Sequence, residues 1–142
     1  MDLIHVIYYS SATHDLSGEE LKEIHLSSIK HNTKNNLTGM LLYYAGNFMQ
    51  VLEGATAAVD ETMARINQDS RHHDVFVIDH EPILEREFSA WQMGFRKLVT
   101  SDLMDQPDYL DAANNRFKID AFSTKPSSAM ELLRHFSRSH QG

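Results

Sequence analysis

Asn35-Asn-Leu-Thr-Gly-Met-Leu-Leu-Tyr-Tyr-Ala-Gly-Asn-Phe-Met-Gln-Val-Leu-Glu-Gly54 is two apolar runs joined by Ala45-Gly46-Asn47, the pattern of a β-hairpin. Side chains alternate along a strand, so Gln50 shares a face with Phe48 and Leu52, whereas Met49, Val51 and Glu53 point the other way. A primary amide therefore stands on an apolar face. Its two donors and one acceptor oxygen need partners, because leaving such a group unpaired in a dry site costs roughly 1–3 kcal/mol. For an isolated glutamine, backbone or water is the simplest source of partners; the rest of the chain supplies a more specific one.

Upstream of the hairpin, residues 2–10 are β-branched and aromatic. Alternation places Ile4, Val6 and Tyr8 on one face and Leu3, His5, Ile7 and Tyr9 on the other, as in a central strand covered on both sides. Ser17-Gly-Glu-Glu20 is a capping box that opens a helix running to about His31. Its inward stripe is Leu21, Ile24, Ser28 and His31 or Asn32, apolar at the start and polar at the C-terminal end. Downstream, a second helix from about Thr56 to Asp69 turns Val59, Met63 and Ile66 inward and pairs Arg65 with Asp69 four residues on. A strand over Asp74–His80 and a short fifth strand over Trp91–Phe95 follow, the latter with Trp91, Met93 and Phe95 on one face.

The order is βαββαββ, an α+β, ferredoxin-like mixed sheet with two helices on one face. Residues 1–98 form this domain. Residues 99–142 are more polar, with weak helical segments near Leu103–Ala112 and Ser128–Arg138, and read as a C-terminal helical cap or output extension. The usual strand order of the fold sets the first strand beside the third. Tyr8 then neighbours Gln50, and the polar ends of both helices converge on them in a slot.

Composition limits what that slot does. The 142 residues carry 13 Lys+Arg against 20 Asp+Glu, a net charge of −7, which argues against binding nucleic acid or an anionic membrane through bulk electrostatics. The apolar runs are too short to span a bilayer and the N-terminus lacks signal-peptide character, the pattern of a soluble cytoplasmic protein with no fused enzyme. The absence of cysteine removes disulfides, thiolate metal sites and thiol nucleophiles. No metal site is expected: His72 and His73 are adjacent and point apart, and no His-x-x-x-His pair falls on a helix. No Gly-x-Gly-x-x-Gly follows a strand.

The pieces Leu3-Ile-His-Val-Ile-Tyr8 with Ser10, Ser27-Ser-Ile-Lys-His-Asn32, Asn36-Leu-Thr-Gly-Met-Leu41, Phe48-Met-Gln50-Val-Leu-Glu-Gly54, Arg65-Ile-Asn-Gln-Asp69-Ser-Arg-His72 and Phe88-Ser-Ala-Trp91-Gln-Met93 together resemble the BLUF domains, flavin-binding blue-light sensors, in a short stand-alone type. The resemblance covers about residues 2–98. It implies a flavin, FAD or FMN, between the two helices, with Ile24, Leu41, Phe48 and Ile66 as apolar walls. Asn32 would pair with the pyrimidine edge, Arg65 steadied by Asp69 would donate to the second carbonyl, and Ser28 and His31 would line the ring. Tyr8 and Gln50 would carry the switch. The phenol gives an electron and then a proton through the amide, whose altered hydrogen bonding shifts absorption slightly to the red. The missing thiol agrees, because the LOV type of flavin photochemistry needs one. Trp91 and Met93 would relay the change, with the inner of the two left open.

Two other readings compete on the same fold: a small hydrolase or acylphosphatase-like enzyme, and a cofactor-free regulatory domain. No Ser/His/Asp or paired-carboxylate spacing supports the first. As a sensor, the chain is expected to act through contact with a separate effector protein or through homo-oligomerisation.

Overall fold

The computed structural model describes residues 2–104, 109–111 and 116–139. Strands β1 (Leu3–Ala12), β2 (Thr38–Tyr44), β3 (Asn47–Ala55), β4 (His72–Ile83) and β5 (Gly94–Leu98) alternate with helices α1 (Gly18–Asn35) and α2 (Thr56–Gln68) in the expected order. They form one sheet, β4-β1-β3-β2-β5. β3 lies antiparallel between β1 and β2, and β5 joins β2 in parallel, so the ferredoxin-like fold holds.

Local chemistry explains the boundaries. The hydroxyl of Ser17 accepts from the amide of Glu20 at 3.2 Å while the Glu20 carboxylate accepts from the Ser17 amide at 3.1 Å, the capping box read from the sequence. α1 runs one turn beyond His31 and stops at Asn36, whose φ of 55° is left-handed, a conformation asparagine tolerates. The hairpin turns on Ala45 and Gly46, both at positive φ, as a two-residue turn between right-twisted strands requires. Asn47 pins this turn, donating to the carbonyls of Tyr44 and Ala45 and accepting from the Tyr9 hydroxyl at 2.6 Å.

The predicted alternation separates two cores. Ile4, Val6, Tyr8, Leu41, Phe48 and Leu52 pack with Leu21, Val59 and Met63 of the two helices. Ile7, Tyr9, Met40, Leu42, Met49 and Val51 face the other way. That second face meets the C-terminal segment, comprising α3 (Thr100–Leu103), β6 (Leu110–Asp111), β7 (Arg116–Phe117), α4 (Ile119–Thr124) and α5 (Ser127–Ser139). Phe117, Phe122, Leu132, Leu133 and Phe136 complete its core.

Three expectations are corrected. β4 reaches from His72 to Ile83 and passes through Pro82, which an edge strand accommodates because its outer amides need no partner. The fifth strand starts at Gly94, not Trp91; Trp91, Gln92 and Met93 precede it as an irregular segment. The helix expected near Leu103–Ala112 is absent where that stretch is described, since α3 ends at Leu103 and Leu110–Asp111 pairs as a strand; residues 105–108 and 112 lie outside the described residues. The segment near Ser128–Arg138 falls within α5.

The loop between β4 and β5 is fastened to the hairpin. Glu53, 1 % exposed, accepts from the Thr38 hydroxyl and from the amides of Glu87 and Phe88. Arg86 donates to the Thr38 hydroxyl and to the carbonyls of Glu53 and Asn36. A buried carboxylate is stable here because its lone pairs are filled. Among the described residues, no helix is long and apolar enough to cross a membrane.

Candidate functional site

A cleft lies between α1 and α2 with the sheet as its floor, enclosing about 730 Å³ with its mouth included. β1 supplies Tyr8, β2 Leu41, and β3 Phe48, Gln50 and Leu52; α1 supplies Ile24, Ser27, Ser28, His31 and Asn32, α2 Thr62, Arg65 and Ile66, and the turn into β4 supplies Asp69, Arg71 and His72. Every residue singled out for a pocket in the sequence therefore lines this one cleft. Ser27, Leu52, Thr62, Arg71 and His72 were not singled out.

Tyr8 and Gln50 are directly paired residues of β1 and β3. The buried phenol donates to Gln50 Oε1, and Gln50 Nε2 points at Met93 Sδ, 3.4 Å away. The amide thus finds a strong partner on one side and a weak, polarisable one on the other. Burial pushes the Tyr8 phenol far above its usual range, and the negative charge of Asp69 pushes it further, so Tyr8 is fully protonated at neutral pH.

Met93, 3 % exposed, is the inner residue. Trp91 is only partly buried and packs against the core on the opposite face. The two do not share a face, because the segment that carries them is not yet a strand and wraps the sheet edge.

The mouth is polar. Arg65 contacts His31 Nδ1, which requires that nitrogen to accept. His31 Nε2 then donates to Thr62 Oγ1 at 2.9 Å, and that hydroxyl donates to the Ala58 carbonyl at 2.7 Å. Partial burial, followed by the charge of Arg65, lowers the His31 pKa. The expected Arg65–Asp69 pair does not form. Asp69 instead takes two nitrogens of Arg71, Nε at 2.9 Å and Nη2 at 2.5 Å, as well as the Arg71 amide. Helical i,i+4 geometry does not apply, because α2 ends at Gln68 and Asp69 is already extended. These bonds hold the Asp69 carboxyl below its usual range.

His72 stands beside the Tyr8 ring, edge-on with centroids 6.3 Å apart. Its Nε2 donates to the Ile66 carbonyl at 2.6 Å and its Nδ1 accepts from Ser10 Oγ at 2.8 Å. Ser10 is fully buried, so the Ser10–His72 bond fastens β1 to the start of β4. On the other side of the sheet, His5, Asp79 and Glu81 bring ligand atoms within 4.8 Å of one another, a grouping that cross-strand register creates and linear spacing hides. His5 Nε2 is already 2.8 Å from Asp79.

The donor set of the cleft suits a flavin. A flat heteroaromatic ring with a uracil-like edge needs apolar walls and a few convergent amides or cations. Ile24, Ile66 and Leu41 provide the walls, and Asn32, Gln50 and Arg65 line the same space. One Asn32 amide hydrogen is used on the Gln92 carbonyl at 2.7 Å, which leaves its second N–H and its oxygen for a ligand. The residues fit.

Residues 3–94 match the profile of the family described as BLUF, sensors of blue-light using FAD. The chain belongs to the BLUF family. Photoactivated adenylate cyclase subunit alpha of Euglena gracilis is 40 % identical over 88 residues, 62 % of this chain and 9 % of that protein. A beta subunit from Euglena longa is 39 % identical over 83 residues, covering 58 % of this chain and 10 % of its own length. The chain thus spans about a tenth of the curated relatives it matches. Among solved structures, the BLUF protein BlrB in its dark state superposes with a TM-score of 0.76 at 29 % identity, covering 97 % of each chain. A bacterial light-regulated adenylyl cyclase superposes at 0.66, also with 29 % identity, over 98 % of this chain and 38 % of its own. The BLUF match ends at residue 94, while the BlrB superposition extends through most of the C-terminal segment.

Proposed function

We propose that this BLUF protein is a blue-light photoreceptor that binds a flavin in the α1–α2 cleft and reads its excitation through Tyr8 and Gln50. The observation that carries the reading is the buried phenol–amide hydrogen bond on the cleft floor. FAD is the cofactor the family description names, while a BlrP1 structure contains FMN; FAD is proposed here.

Bound, the flavin supplies the blue absorption and, once excited, the oxidising power. Tyr8 would supply an electron to the bound, excited flavin and its phenolic proton to Gln50 Oε1, the acceptor it already faces, with the charge returned to Tyr8 on recombination so that no net oxidation results. Gln50 then settles in a rotated or tautomeric form whose hydrogen bonds differ from the starting ones. Such an amide has two satisfied states, and a two-state element is what a switch requires. Asn32, Arg65, His31 and Ser28 hold the polar edge of the ring. Met93 is the first residue to sense the amide, and Trp91 carries the change toward the C-terminal segment.

Residues 1–98 act as the sensor and 99–142 as its output extension, which contacts a separate effector protein or a second copy of the chain; no catalytic step is assigned to the chain. One absorbance experiment tests the reading. Protein from flavin-supplied cells should be yellow and respond to blue light with a reversible red shift. Colourless protein that ignores added FAD and FMN would overturn it.

A further inference from the structure

Residues 91–93 lie between two strands with little ladder to hold them, yet they carry the side chain that, among the described residues, Gln50 Nε2 addresses. The three carbonyls of this segment accept from Gly39 N at 3.3 Å (Trp91), Asn32 Nδ2 at 2.7 Å (Gln92) and His25 Nε2 at 2.8 Å (Met93), and the Trp91 amide donates to the Phe88 carbonyl at 3.1 Å. Two of the three donors to these carbonyls are side chains of α1. Asn32 lines the cleft; His25 does not. His25 sits on the inward stripe of α1, four residues after Leu21 and seven before Asn32, and its ring stacks on Phe95 with centroids 5.1 Å apart at 27°.

A carbonyl only accepts, so His25 must carry its proton on Nε2 to make this bond. The stacked Phe95 holds the plane of the ring, and the ring holds the backbone oxygen of Met93. The reach of Met93 Sδ to Gln50, 3.4 Å, is therefore set from α1.

We propose that His25 is a positioning residue for the Gln50–Met93 contact: by fastening the Met93 carbonyl to α1 it stabilises the amide arrangement in which Gln50 Nε2 faces sulfur. The consequence for light-state lifetime rests on the photoreceptor reading above; the structural clamp does not. Loss of the clamp weakens the starting arrangement and slows the return to it. One ordinary hydrogen bond corresponds to a change of about five-fold.

The test uses the full chain, as purified and again with saturating FAD. His25→Phe keeps a ring that can stack on Phe95 but cannot donate, and His25→Gln restores a donor. The ¹³C-methyl resonance of Met93, assigned by its loss in Met93→Leu, is expected to move in His25→Phe and return toward wild type in His25→Gln. The light-state lifetime should lengthen by up to about five-fold in the first and recover in the second. An unmoved methyl resonance in His25→Phe, or folded His25→Gln that fails to restore it, overturns the proposal. The imidazole ¹⁵N spectrum of wild type decides independently of either variant's folding: an Nε2–H tautomer at His25 supports the clamp, and Nδ1–H alone refutes it. If wild type shows no light response, the photoreceptor reading fails, and the methyl and imidazole measurements still decide the clamp.

Discussion

Tyr8 and Gln50 are cross-strand partners in register on β1 and β3, and the phenol of one donates to the amide oxygen of the other. The bond is buried, with Tyr8 4 % and Gln50 5 % exposed, so its two ends are not equivalent to mutation. Gln50→Leu strands the phenolic O–H in an apolar site and should cost about 1–3 kcal/mol. Tyr8→Phe should cost less, and the double variant should be more stable than the sum of the single effects predicts. Urea denaturation of the four proteins measures this coupling. Both single variants should keep flavin absorbance and lose the light-induced red shift.

Asp69 acts on Tyr8 through charge and on Arg71 through contact. Asp69→Asn should lower the Tyr8 phenol pKa, although burial, the larger cause, keeps it above the ordinary 10.0. Ultraviolet titration of Asp69→Asn against Asp69→Asn/Tyr8→Phe isolates that phenol. The same carboxyl is depressed below 3.8 in the folded protein, so the native state binds fewer protons than the unfolded one. Its contribution to stability is complete above about pH 4 and is lost as the pH falls through the lower folded value. Wild type and Asp69→Asn should therefore converge in stability as the pH is taken from about 5 to about 2.

His31 is held neutral first by burial and then by Arg65. Arg65→Ala should raise its pKa part of the way back to 6.5, as read by imidazole NMR titration. A histidine with a depressed folded pKa contributes fully to stability above the unfolded value near 6.5 and loses that contribution on acidification. The loss below about pH 6.5 should be smaller in Arg65→Ala.

Gly39 permits the β2–β3 contact. A Cβ there would stand 2.0 Å from the Val51 carbonyl oxygen, which is backbone and cannot swing aside. Gly39→Ala should destabilise by more than about 3 kcal/mol or abolish folding. At Gly54 the nearest atom is the end of the Leu37 side chain, so Gly54→Ala should be the milder change. Thermal unfolding of the two variants compares them.

What the sequence determined was the set of faces. Strict alternation in residues 2–10 and 47–54 sorts Tyr8, Phe48, Gln50 and Leu52 to one side of the sheet whatever the exact ends of the strands, because a period of two follows from the backbone itself. The stripe along α1 and α2 did the same for Ile24, Ser28, Asn32 and Ile66, and the motifs across residues 3–93 pointed to the family. His25 was legible in principle, lying on the same stripe, but an inward histidine carries no mark of what it bonds.

Only the tertiary structure decided the partners where regular periodicity ends. Asp69 lies one residue beyond α2, so it meets Arg71 and not Arg65. Trp91 and Met93 precede β5, so they part to opposite faces of the sheet where an intact strand would have kept them together. His72 and Ser10, or His5 and Asp79, meet because cross-strand register brings distant segments into contact, and no local spacing encodes that register. The C-terminal segment covers the second face for the same reason: an apolar face announces that it needs a cover, and long-range packing chooses which residues provide it.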